Sequence, residues 1–197
     1  LVAKRGAYME EAAPAGSGKM VAVLNTPVEV IEEVCQKASE LGVVTPANYN
    51  TPAQIVIGGE VAAVDRAVEL LQEAGAKRLI PLKVSGPFHT ALLEPASQKL
   101  AETLAQVSFS DFTCPLVGNT EAAVMQKEDI AQLLMRQVKE PVRFYESMAV
   151  MQEAGVTNFI EIGPGKVLSG FVKKIDKTAK LANVEDQASL ETLLENE

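Results

Sequence analysis

The chain has 197 residues, enough for one domain or two small ones around a real hydrophobic core. Its 47% hydrophobic and 22% charged residues are those of an ordinary soluble globular protein, and no apolar run approaches the ~20 residues of a membrane span. A net charge of -8 excludes the basic face of a nucleic-acid binder, and a single histidine with no cysteine pair at ligand spacing excludes a zinc site.

The first segment, Leu1 to Ala12, reads as a helix already in progress, with apolar Leu1, Val2, Tyr8 and Met9 and no N-cap before them, so further sequence is expected upstream. Pro14 to Gly18 is a loop. Lys19 to Leu24 is a short apolar strand. Thr26-Pro27-Val28-Glu29 predicts a capping box, followed by a helical stripe of Ile31, Val34, Cys35, Ala38 and Leu41 that Gly42 ends. Val43 to Asn50 and Gln54 to Gly59 form a hairpin, Val61 to Leu71 a second helix closed by Gly75, and Lys77 to Val84 a last strand. Residues 19–85 therefore form a ferredoxin-like βαββαβ unit inserted between residues 1–18 and 86–197.

The second part alternates helices with short apolar strands, which suggests a mainly parallel sheet. Leu93, Leu100, Leu104 and Val107 mark a helix starting near Thr90. Pro115 to Asn119 is a short strand. Ile130 to Val138 is a helix stopped at Pro141, and Met148 and Met151 lie on a third, ended by Gly155. Asn158 to Ile162 reads as a buried strand, Gly163-Pro164-Gly165 as a turn, and Leu168 to Ile175 as a final helix before a short tail. Cys35 and Cys114 sit in apolar contexts and read as two buried free thiols of a reducing cytoplasm; no signal peptide is visible.

Chemistry has few candidates. Gly16-Ser17-Gly18-Lys19 lacks the remaining residues of a phosphate loop and precedes a strand. Gly163-Pro164-Gly165-Lys166 precedes a helix, where backbone amides can meet an anion or form a structural turn. No Gly-x-Ser-x-Gly elbow exists in the chain. His89 is the one histidine, in Val84-Ser85-Gly86-Pro87-Phe88-His89-Thr90, and the one side chain whose unperturbed pKa lies near neutrality. A Gly-Pro bend before it, and Thr90 capping a helix after it, put it at a strand-to-helix junction. By itself it fits a catalytic base or a satisfied structural residue.

Five stretches in register carry a family resemblance: Arg5-Gly6-Ala7-Tyr8-Met9, Asn48-Tyr49-Asn50-Thr51-Pro52-Ala53-Gln54, Pro87-Phe88-His89, Arg136-Gln137-Val138 with Pro141-Val142, and Glu161-Ile162-Gly163-Pro164-Gly165-Lys166-Val167-Leu168. Together they resemble the C-terminal two-thirds of the malonyl-CoA:acyl-carrier-protein transacylases of bacterial fatty-acid synthesis. The resemblance implies an α/β fold: an α/β-hydrolase-like core, partial here, with a ferredoxin-like subdomain.

It also implies roles. His89 would be the base of a Ser-His dyad, and the backbone carbonyl of Gln137 would orient it. Arg5 would clamp the malonyl carboxylate, and Phe88 would fill the space of a methylmalonyl methyl. Asn48 and Asn50 would lie near the pantetheine arm. Lys77 and Arg78 would dock the acidic acyl carrier protein, with Lys166, Lys173 and Lys174 as alternatives. Leu93 stands where the family often has Met, a neutral packing exchange. No metal or redox cofactor is implied; the substrates are malonyl-CoA and the phosphopantetheinyl carrier protein, and the enzyme is expected to be a cytoplasmic monomer.

The family's Gly-His-Ser-x-Gly nucleophile and its oxyanion loop are not in these residues. They are expected upstream of Arg5, and the chain alone is expected to be inactive. Two other readings compete: the acyltransferase domain of a polyketide synthase, and a catalytically inactive fragment that binds carrier protein.

Overall fold

The structure, a computed structural model, describes residues 1–84 and 86–195. The chain is a mixed α/β protein. Helix α1 (Val2–Ala12) leads into β1 (Lys19–Leu24), α2 (Val28–Ala38), β2 (Val44–Thr51), β3 (Gln54–Gly59), α3 (Val61–Glu73) and β4 (Arg78–Pro81). These four strands form one antiparallel sheet in the order β2-β3-β1-β4. Its last strand is shorter than the expected Lys77 to Val84, and the expected boundary at Ser85, like residues 196 and 197, lies outside the described residues.

Both faces of the central strands β1 and β3 are buried, which is why β1 reads as a continuous apolar run rather than an alternating one. Val21, Val23, Ile55 and Ile57 face the apolar stripes of α2 (Ile31, Val34, Cys35, Ala38) and α3 (Ala63, Val64, Ala67, Leu71). Met20, Ala22, Ala47 and Val56 make a second cluster on the other face, packed by Leu24, Leu82 and Phe88. That second face becomes one wall of the site.

The predicted capping box does not form. Pro27 takes the N-cap position with no side-chain cap bond, and Thr26 Oγ1 turns back to the Leu24 carbonyl at 3.5 Å. Proline's fixed φ, here -56°, sets the helical entry instead. Helix α2 stops at Ala38, and a 3₁₀ turn over Ser39–Leu41 carries the chain to Gly42.

Beyond the sheet, a 3₁₀ turn (Ala91–Leu93) precedes α4 (Glu94–Leu104), which packs on α1 through Met9, Leu93, Ala96, Leu100 and Leu104. The expected strand from Pro115 to Asn119 shrinks to β5 (Val117–Gly118), which forms a small hairpin with β6 (Ala123–Val124). Then come α5 (Ile130–Gln137), α6 (Phe144–Glu153), β7 (Asn158–Ile162), α7 (Val167–Ile175), β8 (Lys180–Val184) and α8 (Gln187–Glu195). Strands β7 and β8 are parallel, and they are the described residues' parallel pairing apart from an isolated bridge between Asn48 and Val142.

Three expectations are corrected here. The residues after Asp176 are a strand and a helix, not a short tail. β7 is not buried: Ile160 is 48% and Ile162 82% exposed, on the face of the two-stranded β7-β8 sheet that is left open among the described residues. Of the cysteines, Cys35 is buried, its thiol pushed up to about 12 by burial and then by Glu32, but Cys114 is exposed.

Val142 joins the two parts. It donates its N–H to the Ala47 carbonyl (2.9 Å) and accepts from Tyr49 N–H (2.8 Å), so it extends edge strand β2 by one parallel step. This fixes Asn48 relative to the segment between α5 and α6.

Candidate active site

The site forms where α1, the second sheet face and the Gly86–Thr90 turn converge. Arg5 and Met9 lie one helical turn apart on α1, so both project to the same side. With Met20, Asn48, Leu82, Val84, Phe88 and His89 they line a cavity of about 400 Å³. Arg5 and His89 also border a second cavity of about 380 Å³, together with Asn119 and Gln137. A larger apolar cavity of about 600 Å³ lies against the far side of Asn119 and Gln137, but it holds neither Arg5 nor His89.

His89 has φ 60°, in the left-handed region that non-glycine residues rarely adopt. Thr90 sustains this conformation. Its hydroxyl, 1% exposed, donates to the Pro87 carbonyl at 2.7 Å and closes the turn around His89. The expected role of Thr90 as a helix cap is thereby corrected: it makes no side-chain cap bond, and its oxygen is spent inside the turn. Close approach of the incoming chain matters as well. A Cβ on Gly18 would lie 2.5 Å from the Pro87 ring, so that position has room only for glycine, whereas Gly16 is glycine for its φ of 87°.

The imidazole has one firm partner. His89 Nδ1 lies 2.9 Å from the Gln137 backbone oxygen. A carbonyl can only accept, so Nδ1 carries the hydrogen and Nε2 of the neutral ring keeps its lone pair. The Gln137 carbonyl is available because Gln137 is the last residue of α5, where helix carbonyls lack intrahelical partners. The negative end of that helix also favours a cation on the ring. Burial, however, holds the imidazole below its ordinary value; the Gln137 carbonyl opposes this, the Arg5 charge adds to it, and the Glu140 backbone opposes it. The balance leaves a neutral ring near pH 7 with a free acceptor nitrogen and a cationic neighbour.

Arg5 is partly buried, which lowers its pKa, and its Nε is buried with no hydrogen-bond partner among the described residues. A buried guanidinium N–H without a partner is uncommon and costly. Together with the open cavity it marks a place where an anion would be held by a planar fork of donors.

These features suit acyl transfer: a neutral imidazole in a fixed tautomer, a guanidinium facing the same cavity, and an apolar wall. The acyl transferase domain family matches residues 1–196. The chain belongs to the acyl transferase domain family. It is 47% identical to the malonyl CoA-acyl carrier protein transacylase of Bacillus subtilis (strain 168) over 196 residues, which are 98% of this chain and 62% of that protein. It superimposes with a TM-score of 0.97 and 91% identity on a crystal structure of MCAT from Streptococcus pneumoniae, covering 100% of this chain and 64% of that one. A malonyl-transacylase in complex with a type II PKS acyl-carrier protein matches at TM-score 0.92 and 43% identity, over 98% of this chain and 63% of that one. The chain thus spans about 62% of the length of the curated relative.

Within this acyl transferase chain the sequence candidates divide. Arg5, Asn48, Phe88 and His89 line one cavity, and Gln137 meets His89 from the side of the second. Phe88 also packs against two core clusters, so its packing and lining roles coexist. Asn50 does not line the cavity: register shifts on both sides of Tyr49 re-aim the strand before the hairpin. Lys77 and Arg78 are exposed at the far edge strand, and Lys166, Lys173 and Lys174 are exposed around α7, with Lys174 Nζ 5.9 Å from the Phe171 ring centre.

The Gly163–Lys166 turn is structural. Glu161 accepts from Leu168 N–H (3.1 Å) and Ser169 N–H (2.7 Å), and Glu185 accepts from Gly165 N–H (2.9 Å), so these amides are already filled. Two residues went unread in the sequence: the hydroxyl of Thr90 as a turn lock, and Asn119. Asn119 follows β5 directly, and a polar residue at the carboxyl end of a strand is the signal that could have found it.

Among the described residues no three His, Cys, Asp or Glu cluster to hold a metal, and no helix is long and apolar enough to cross a membrane.

Proposed function

We propose that this chain supplies the base, the carboxylate clamp and the acyl-binding wall of a malonyl-CoA:acyl-carrier-protein transacylase. The observation that carries the reading is the His89 Nδ1 contact with the Gln137 carbonyl, beside an Arg5 Nε without a partner among the described residues. In the architecture we propose, residues 19–85 are a ferredoxin-like subdomain set into a partial α/β-hydrolase-like core.

The reaction runs in two halves. His89 Nε2 accepts the proton of a serine hydroxyl as that oxygen attacks the malonyl thioester carbonyl. The imidazolium returns the proton to the departing CoA sulfur, leaving a malonyl-serine ester. The phosphopantetheine thiol of the carrier protein then gives its proton to His89 and attacks the ester, and the serine regains its hydrogen. A neutral carbonyl at a helix C-terminus does here what a carboxylate does in a full triad: it fixes the tautomer and favours the transient cation. The serine lies outside these 197 residues, which contain no Gly-x-Ser-x-Gly.

Arg5 holds the malonyl carboxylate through the cycle, Phe88 limits room at the α-carbon, and Asn48 meets the pantetheine arm. We assign carrier docking to the exposed Lys77 and Arg78. No cofactor beyond the two substrates is required, and a cytoplasmic monomer suffices. The test is carried out on the complete polypeptide: His89→Ala should abolish transfer of labelled malonyl from CoA to carrier protein, and transfer at the normal rate would refute the reading.

A further inference from the structure

We infer that Asn119 is a positioning residue for His89, acting through Gln137. The inference rests on the reading of His89 as the base, but its geometry stands independently. Gln137 Nε2 donates to Asn119 Oδ1 at 2.6 Å, while the backbone oxygen of the same glutamine accepts from His89 Nδ1 at 2.9 Å. One residue therefore carries both bonds. It needs an anchor, because it ends α5, and the last turn of a helix frays.

Asn119 is itself held from the opposite side. Its carbonyl accepts from Arg143 N–H at 2.8 Å, and the neighbouring Val142 is the residue paired to β2. Arg136, next to Gln137, closes the same arrangement: its Nε reaches both Glu140 oxygens (2.8 and 3.1 Å), and its other arm pairs with Glu121, two residues beyond Asn119. The ion pairs hold the loops together; among the described residues the one side-chain bond on Gln137 itself is to Asn119. Asn119 and Gln137 both border the cavity that Arg5 and His89 share, so a loosened Gln137 has space to move into. A carbonyl that swings away releases Nδ1–H, and the ring then loses both its tautomer and its aim. Misplacement of about 1 Å at a reacting group can cost up to a hundredfold in rate.

The test uses the complete polypeptide with ¹⁵N-labelled histidine, the His89 signals being assigned by their disappearance in His89→Gln. In Asn119→Leu, which removes the acceptor, the hydrogen-bonded Nδ1–H resonance should broaden or vanish. kcat for malonyl transfer should fall roughly tenfold to a hundredfold, with KM for malonyl-CoA within about twofold of wild type. Asn119→Asp keeps the acceptor oxygen and should retain the resonance and most of kcat. A sharp, unshifted Nδ1–H in a folded Asn119→Leu would overturn the inference, and so would equal losses in the Leu and Asp variants. If His89→Gln itself transfers malonyl normally, the base assignment fails instead, and the resonance still decides whether Asn119 positions the ring.

Discussion

Thr90 Oγ1 donates to the Pro87 carbonyl at 2.7 Å across a turn whose middle residue, His89, has φ 60°. The buried hydroxyl closes the turn that holds the only histidine of the chain in a left-handed conformation, with its ring against Gln137. Backbone strain persists only where its surroundings enforce it, and the Thr90–Pro87 bond spans this turn.

Thr90→Val tests this most simply, because it keeps the shape and removes the donor. The Pro87 carbonyl would be left buried and unpaired, at a cost of about 1–3 kcal/mol. Urea unfolding should show a midpoint lowered accordingly with an unchanged slope. An unchanged midpoint would mean that the turn does not depend on the hydroxyl.

Gly18→Ala should destabilise the crossing between the loop and the Gly86–Pro87 bend. The added methyl meets the Pro87 ring at 2.5 Å, and neither partner has a rotamer with which to retreat. Overpacking of this kind costs about 1–3 kcal/mol, again read from unfolding. Wild-type stability in this variant would show that the loop can shift freely.

Arg5→Ala should separate clamp from base. Loss of a charge-assisted pair to a carboxylate is worth about 3 kcal/mol, roughly a hundredfold in malonyl transfer, while acetyl transfer, which needs no clamp, should persist. The pH profile offers a second readout. The Arg5 charge helps hold the imidazole below its ordinary value, so its removal should move the acid limb of the rate profile to higher pH. Unchanged malonyl transfer, or an acid limb that moves down, would rule out the assignment.

Stability should carry the same signature. The folded His89 titrates below its usual 6.5, so as pH falls below 6.5 the unfolded chain takes up the proton first. The folding free energy therefore declines with acidification from that value down to the lowered folded-state pKa, and flattens beneath it. His89→Gln removes this contribution, and its stability curve should lose that slope relative to wild type. Parallel curves for the two proteins between pH 6.5 and the acid transition would contradict the depressed value.

Much of this was legible before the structure, and the reason is local chemistry. Apolar periodicity located α2, α3, α5, α6 and α7, and the hairpin of β2 and β3 followed from Asn50-Thr51-Pro52. Errors arose where long-range context decides. Val117 and Gly118 pair with Ala123 and Val124 rather than with a central strand, and Ile160 and Ile162 sit on a strand with one neighbour. Thr26 and Thr90 both carried capping signatures, yet each hydroxyl found a nearer carbonyl. Arg5, Phe88 and His89 were found as residues, but their convergence depends on α1 packing against α4 and on the second face of the sheet. Asn119 carried only its place after β5 as a signal, and its partner, Gln137, is eighteen positions away and meets it only after α5 folds back.

The central claim is that His89 activates a serine for acylation while the Gln137 carbonyl holds its tautomer. Intact-mass measurement of the complete polypeptide after brief exposure to malonyl-CoA tests it most directly. Wild type should gain the mass of one malonyl group, and His89→Ala should gain none within the same interval. A normal malonyl adduct on the His89→Ala protein would contradict the account.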